Sequence, residues 1–205
     1  MKTLIVVAHL DDAEIGMGGA LALLKGEIKV VVLCKGRAKA DRVAREKAFT
    51  KNMLSLGFSY KIYEAEDLTL EDFFNGVTYT IQNEVDSFRP DIVYTNSDTD
   101  MHRDHKTVAE SVKLVCRPRK ECSVKELYSF PVTGSNEWNF TPRLFNVCVD
   151  ITETIEKKLE MCSEYSTEIK SGGIGSLDGI REYHKHIGNI FGYQYAEEFS
   201  LVFKR

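Results

Sequence analysis

Two short stretches of this 205-residue chain gather side chains that can do acid–base and metal chemistry. The first is His9-Leu10-Asp11-Asp12-Ala13-Glu14, the second His102-Arg103-Asp104-His105. Together they hold three of the five histidines. Two neutral imidazoles and one carboxylate suit a divalent ion such as Zn²⁺ and leave coordination open for water. Such an ion lowers the pKa of water to about 7. A spare carboxylate beside it can take a proton and later return it to a leaving group. A further histidine can stabilise an oxyanion. His9-x-Asp11-Asp12 offers one ligand, a spare carboxylate and a second ligand. His102-x-Asp104-His105 offers a third ligand, a spare imidazole and an aspartate able to orient it. Each cluster alone also has a plain reading. It is a solvated loop or, for Asp11 or Asp12, the cap of a helix that starts near Ile15.

The elements that must bring the clusters together are legible in the apolar pattern. Thr3–Ala8, Lys29–Leu33, Tyr60–Tyr63, Asp91–Thr95 and Glu126–Phe130 read as strands. Gly18 to Lys25, Ala40 to Leu56, Leu70 to Phe88 and Asp104 to Cys116 read as helices between them. Gly26 and Gly57 stand where C-caps belong. Unbroken runs such as LIVVA and VVVLC suit strands buried on both faces, hence a parallel sheet. Alternation of this kind predicts an α/β fold, a Rossmann-like three-layer α/β/α sandwich with a mostly parallel central sheet. After Phe130 the pattern gives a strand over Phe145–Val149, a helix from Ile151 to Tyr165, a helix over Ile180–Ile190 and a strand over Phe199–Phe203. Residues 1–205 read as one domain. Ligands of open α/β sheets bind beyond the carboxyl ends of the strands, where strand order reverses. With the order 3-2-1-4-5, the first and fourth strands are neighbours and both clusters face one cleft.

Composition excludes other classes. Net charge is −4 with 28% charged residues, a poor match to a nucleic-acid binder. No apolar run approaches the roughly 20 residues of a membrane helix. The apolar run Leu4–Ala8, closed by Asp11 and Asp12, does not read as a secretory leader. Five scattered cysteines without C-x-x-C spacing read as reduced thiols of a cytoplasmic protein.

Ala8-His9-Leu10-Asp11-Asp12-Ala13-Glu14-Ile15-Gly16-Met17-Gly18-Gly19 resembles the AHPDDxExGxGG signature of the PIG-L/LmbE-like N-deacetylases. His102-Arg103-Asp104-His105 resembles that family's HxDH motif. Weaker echoes follow at Arg45-Glu46, Leu56-Gly57, Val149-Asp150-Ile151-Thr152 and Tyr195-Ala196-Glu197-Glu198-Phe199. The resemblance implies a zinc-dependent hydrolase, with Fe²⁺ or Co²⁺ as further options. It implies removal of the N-acetyl group from an N-acetylglucosamine-type sugar or conjugate. His9, Asp12 and His105 would be the metal ligands and Asp11 the general base. His102 would stabilise the oxyanion or help protonate the leaving amine, with Asp104 orienting it. Glu14 is expected to support the helix start. A homo-oligomer is compatible with the family. Leu10 stands where proline is usual, and Asp100 where some relatives carry a tyrosine.

Substrate contacts are less legible. Trp138 in its polar loop, Arg103, and Arg37 between Lys35 and Lys39 are the candidates. Two rival readings remain at this level. Asp98-Thr99-Asp100 is a D-x-D triplet of the kind that binds a metal and a nucleotide sugar in glycosyltransferases. A non-catalytic sugar- or metal-binding protein would also keep these residues. The run Gly16-Met17-Gly18-Gly19 lacks the last glycine of a dinucleotide fingerprint, Leu21 standing there, and is expected to serve close helix–sheet packing.

Overall fold

The computed structural model describes residues 1–36, 39–135 and 145–205, with the side chains of residues 39 and 40 excepted. Strands β1 (Lys2–Val7), β2 (Glu27–Cys34), β3 (Ser59–Ala65), β4 (Ile92–Asn96) and β5 (Glu126–Phe130) alternate with helices α1 (Asp12–Leu23), α2 (Lys39–Leu56), α3 (Phe74–Phe88) and α4 (Arg103–Cys116). A 3₁₀ turn, Leu70–Phe73, leads into α3. Strand β6 (Val147–Asp150), helices α5 (Ile155–Ser163) and α6 (Leu177–Phe191), and strand β7 (Ala196–Lys204) complete the described chain. Among the described residues the sheet has seven strands in the order β3-β2-β1-β4-β5-β7-β6. The first five run parallel, and β7 runs antiparallel to both β5 and β6.

Strand alternation separates two cores. Leu4, Val6 and Ala8 point toward α3 and α4, where Val77, Ile81, Val85, Val108 and Val112 meet them. Ile5 and Val7 point toward α1, α2 and α5, against Leu21, Phe49, Met53 and Leu159. Leu4 to Ala8 are fully buried. Each large apolar side chain so placed contributes roughly 1.5–3 kcal/mol. Both faces of β1 are therefore committed, and only its carboxyl end is free for polar groups.

Helix α1 starts earlier than the pattern predicts, at Asp12 rather than Gly18, and it kinks. Met17 leaves helical geometry with φ −138° and ψ 25°. The break frees backbone groups in the protein interior, and a buried ion pair takes them up. Lys158 Nζ donates to Ile15 O at 2.8 Å. Gly19 N and Ala20 N donate to the Glu197 carboxylate at 2.9 and 2.7 Å. Lys158 and Glu197 are fully buried and 2.6 Å apart. The three glycines of the segment permit this approach. A Cβ on Gly16 would stand 2.4 Å from the Phe130 ring, on Gly18 2.9 Å from Lys158 Cγ, and on Gly19 2.6 Å from Ile151. The glycines serve close packing, as their spacing predicts.

Removing one partner of a buried pair strands the other's charge, which costs about 3–5 kcal/mol. Glu197→Gln should lose that much in urea unfolding, whereas Glu156→Gln, in the exposed pair with Arg181, should change little. Equal stability of Glu197→Gln and wild type would show that the pair does not hold the kink.

Candidate active site

The β1–β4 register, Thr3↔Ile92 through Val6↔Thr95, sets the carboxyl ends of both strands side by side. Asn96 joins them. Its Oδ1 accepts from Ala8 N at 3.0 Å, and its Nδ2 donates to Asp12 Oδ2 at the same distance. Asp12, in the first turn of α1, also accepts from His9 N at 2.9 Å. From the other side, α4 begins with the His102 side chain as its N-cap, Nδ1 accepting from Asp104 N at 3.2 Å. The starts of two helices, α1 and α4, thus face each other across the sheet's end.

Donor atoms of three residues converge there. His9 Nδ1 lies 3.1 Å from His105 Nε2. His105 Nε2 lies 3.2 Å from Asp12 Oδ1, and His9 Nδ1 lies 3.6 Å from Asp12 Oδ2. A tetrahedral ion with bonds of about 2.0–2.1 Å separates its ligands by roughly 3.3 Å, so this triplet has the spacing of a small divalent ion. The far nitrogen of each ring meets a carboxylate. His9 Nε2 is 3.2 Å from Asp104 Oδ2, and His105 Nδ1 is 2.9 Å from Asp100 Oδ2. Such partners set the tautomer and turn the free lone pair inward. The His102 ring is the other candidate donor, with a nitrogen within 4.8 Å of His9 and His105.

The electrostatics favour positive charge at this point, carried in the metal-free protein by protons. Burial opposes charge on His9, yet Asp12 and then Asp104 hold its proton, up to about 10. His105 is pushed up to about 9 against burial by Asp12 and Asp100. Despite its own burial, Asp12 is held well below the usual carboxylate range by His105 and His9. Burial, aided by His9 and His105, pushes His102 down, so its ring is neutral. With Nδ1 accepting a backbone N–H, that neutral ring carries its proton on Nε2.

Asp11 makes no capping bond. Its Oδ1 accepts from Arg45 at 2.9 Å, and Arg45 also approaches Glu168 at 3.6 Å. Glu14 lies beneath the site. Asn52 donates to its Oε1 at 3.1 Å, and Tyr165 Oη lies 2.6 Å from both that oxygen and Leu10 O. Burial pushes Glu14 up to about 8. A cleft of about 490 Å³ opens over these groups. His9, Asp11, Asp12, His102 and His105 form its floor, and the 168–175 segment and residues 132–135 form its walls.

The structure thus brings together six predicted residues, with one change of partner. The Asp104 carboxylate serves His9 and the backbone N–H groups of Leu68 and Leu70, at 2.6 and 3.3 Å. Only its backbone N–H holds His102. Leu68 adopts φ 63° to reach it, a conformation few leucines take. Arg103 is not brought in. Its side chain is 71% exposed and paired with Glu71 at 3.1 Å, outside the cleft lining. Arg37 and Trp138 lie outside the described residues. The D-x-D triplet is split, Asp98 pairing with Lys113 while the buried Asp100 accepts from Ser135 and His102 N at 2.8 Å each. Arg45, Asn96 and Ser135 were missed as site residues, and Asp100 was assigned to a rival site. Of these, Asp100, two residues before His102, and Arg45, in the Arg45-Glu46 echo, carry a sequence signal.

Among the described residues no helix is long and apolar enough to cross a membrane, and all five cysteines are free. Four known proteins bear on the identity of the chain. It is 28% identical over 155 residues to the uncharacterized deacetylase YaiS of Escherichia coli (strain K12), covering 69% of this chain and 79% of that one. The zinc-inhibited form of teicoplanin deacetylase Orf2 superposes with a TM-score of 0.80 at 16% identity, covering 100% and 99% of the two chains. N,N'-diacetylchitobiose deacetylase of Pyrococcus horikoshii gives 0.72 at 20%, covering 98% and 83%. GalB, the 4-carboxy-2-hydroxymuconate hydratase of Pseudomonas putida KT2440, gives 0.69 at 19%, covering 100% and 98%. At these identities the structures establish the fold. Residues 4–116, which carry both motifs and every converging donor, match the model of the PIG-L family, GlcNAc-PI de-N-acetylase, and the chain belongs to that family.

Proposed function

We propose that the protein is a divalent-metal-dependent N-deacetylase acting on an N-acetylated amino sugar or its conjugate. The observation that carries this is the convergence of His9 Nδ1, His105 Nε2 and Asp12 at 3.1–3.6 Å, with Asp11 and His102 lining the same cleft. His9, Asp12 and His105 would hold the ion. Asp12 is preferred to His102 as third ligand because it is anionic and closer, and because His102 Nδ1 is already occupied. Zinc is the first choice for a His₂Asp set, and Fe²⁺ or Co²⁺ fit the same donors. The ion would supply Lewis acidity and bring water ionisation into the neutral range.

The remaining roles fall to the chain's own groups. Asp11, fixed by Arg45, takes the proton of the attacking water and passes it to the leaving amine. His102, neutral and protonated at Nε2, donates a hydrogen bond to the oxygen of the tetrahedral intermediate. The N–C(acyl) bond breaks as the amine gains that proton, and acetate leaves. The cleft volume suits a sugar unit. A fold shared with a hydratase does not settle chemistry, so the assay must read amine release directly.

Two outcomes are expected. Asp11→Asn keeps about one metal per chain by elemental analysis and loses roughly 10²–10⁴-fold in amine release from N-acetylglucosaminides. His105→Ala loses metal and activity together. Full activity in Asp11→Asn would reject the base assignment, and a metal-free wild type refractory to loading would reject the reading. The second concerns protons. His9 and His105 hold protons to about 10 and 9 in the metal-free protein, so the ion must displace them. Loading near pH 7 should release roughly one to two protons per ion, and affinity should rise with pH below that range. Calorimetry in buffers of differing ionisation enthalpy reads this; release of none would place the ion elsewhere.

A further inference from the structure

His9 presents its other face to a second donor group. Its Nε2, Cys34 Sγ, and carboxylate oxygens of Asp67 and Asp104 all lie within 4.8 Å of one another. His9 Nε2 is 3.2 Å from Asp104 Oδ2 and 3.8 Å from Asp67 Oδ1. The backbone locks the thiol in place. Cys34 ends β2, and its N–H donates to Ala8 O at 2.7 Å, directly before His9. Cys34 and Asp104 are fully buried. Asp67 Oδ1 is buried with no hydrogen-bond partner, on a side chain 18% exposed to the cleft. The nearby cation, Arg45, is engaged with Asp11. One imidazole, one thiol and two carboxylates form a metal-binding donor set with softer character than the first.

We propose that Cys34, Asp67, Asp104 and His9 Nε2 form a second divalent-metal site, specific to thiophilic ions, whose occupation inhibits the enzyme. The inhibitory part rests on the proposed function; the site itself does not. Zinc–sulfur and zinc–oxygen bonds of about 2.3 and 2.1 Å put tetrahedral partners roughly 3.6 Å apart, so the widest pairs draw in by about an ångström. Uptake displaces the protons on Cys34 Sγ and His9 Nε2 to solvent, and no electron moves. The ion sits at the cleft floor beside Asp67 and takes Asp104 away from His9. The inner ligand then loses the carboxylate that orients it, a change that typically costs 10–100-fold in metal affinity or activity.

Wild type, Cys34→Ser and Cys34→Ala, each loaded with one equivalent of zinc, would be titrated with Cd²⁺. Bound metal per chain, the ultraviolet absorption of a cadmium–thiolate bond, and amine release would be followed together. In wild type a second ion binds, thiolate absorption grows, and activity falls in step. In both variants the absorption is absent and the second ion binds at least about tenfold more weakly. Failure to gain the absorption in wild type overturns the proposal. So does equal absorption in the variants, which would assign it to another thiol such as the half-buried Cys148. Absorption that tracks Cys34 without loss of activity keeps the site and overturns its inhibitory role. A zinc-loaded enzyme inactive from the start would sink the proposed function, while absorption and stoichiometry still decide the second site.

Discussion

The Asp12 carboxylate is the constraint from which the head of this molecule is built. It is almost fully buried, and a buried carboxylate persists only if charge and hydrogen bonds surround it. Asp12 takes a backbone N–H from His9, an amide N–H from Asn96, and the facing imidazoles of His9 and His105. Those four contacts come from His9 just after β1, from the end of β4 and from the first turn of α4, while Asp12 itself opens α1. Holding the carboxylate therefore means holding every element of the site in register. The same arrangement leaves two ring nitrogens pointed at each other 3.1 Å apart, which a cation resolves better than a shared proton.

The second constraint lies one turn deeper. A helix that begins at Asp12 and must also pack under the sheet bends at Met17, and the bend exposes backbone groups inside the protein. Lys158 and Glu197, from α5 and β7, cap the two sides of that break. The carboxyl-terminal third of the chain is thus a brace for the amino-terminal motif. Antiparallel β7, lodged between β5 and β6, delivers Glu197 to the place where the parallel half cannot reach. The glycines at 16, 18 and 19 are the complement, since a Cβ at any of them would meet Phe130, Lys158 or Ile151 at under 3 Å.

The three histidines differ in charge for reasons of position alone. His9 and His105 face carboxylates on both ring nitrogens, so protons or a metal are held there. His102 accepts a backbone N–H as helix cap and sits beside two imidazoles, so it is neutral. One residue type thus supplies two imidazoles set against carboxylates and one neutral helix cap in a single cleft, and neighbouring acceptors make the division.

The linear sequence by itself determined the class of fold, the positions of most strands, and the two polar clusters, because buried parallel strands need unbroken β-branched runs and those clusters stand at their ends. Residue chemistry marked both clusters as able to hold a metal, and only their resemblance to the family's two motifs singled out His9, Asp12 and His105 as the expected ligands. Local spacing also placed the glycines correctly. It could not reveal partners brought in by pairing across the sheet. Asn96 and Ser135 carry no local mark, the echo at Arg45 does not reveal its partner Asp11, and the service of Asp104 to His9 rather than to the His102 ring depends on where the Leu68 backbone turns. Nor could it show that Arg103, inside a motif, faces solvent while His102 and His105 face the cleft, since that is set by which side of α4 packs on the sheet. A sequence lists groups able to bond; which of them meet is decided by strand register and helix packing, because those alone fix distances of 3 Å between residues ninety positions apart.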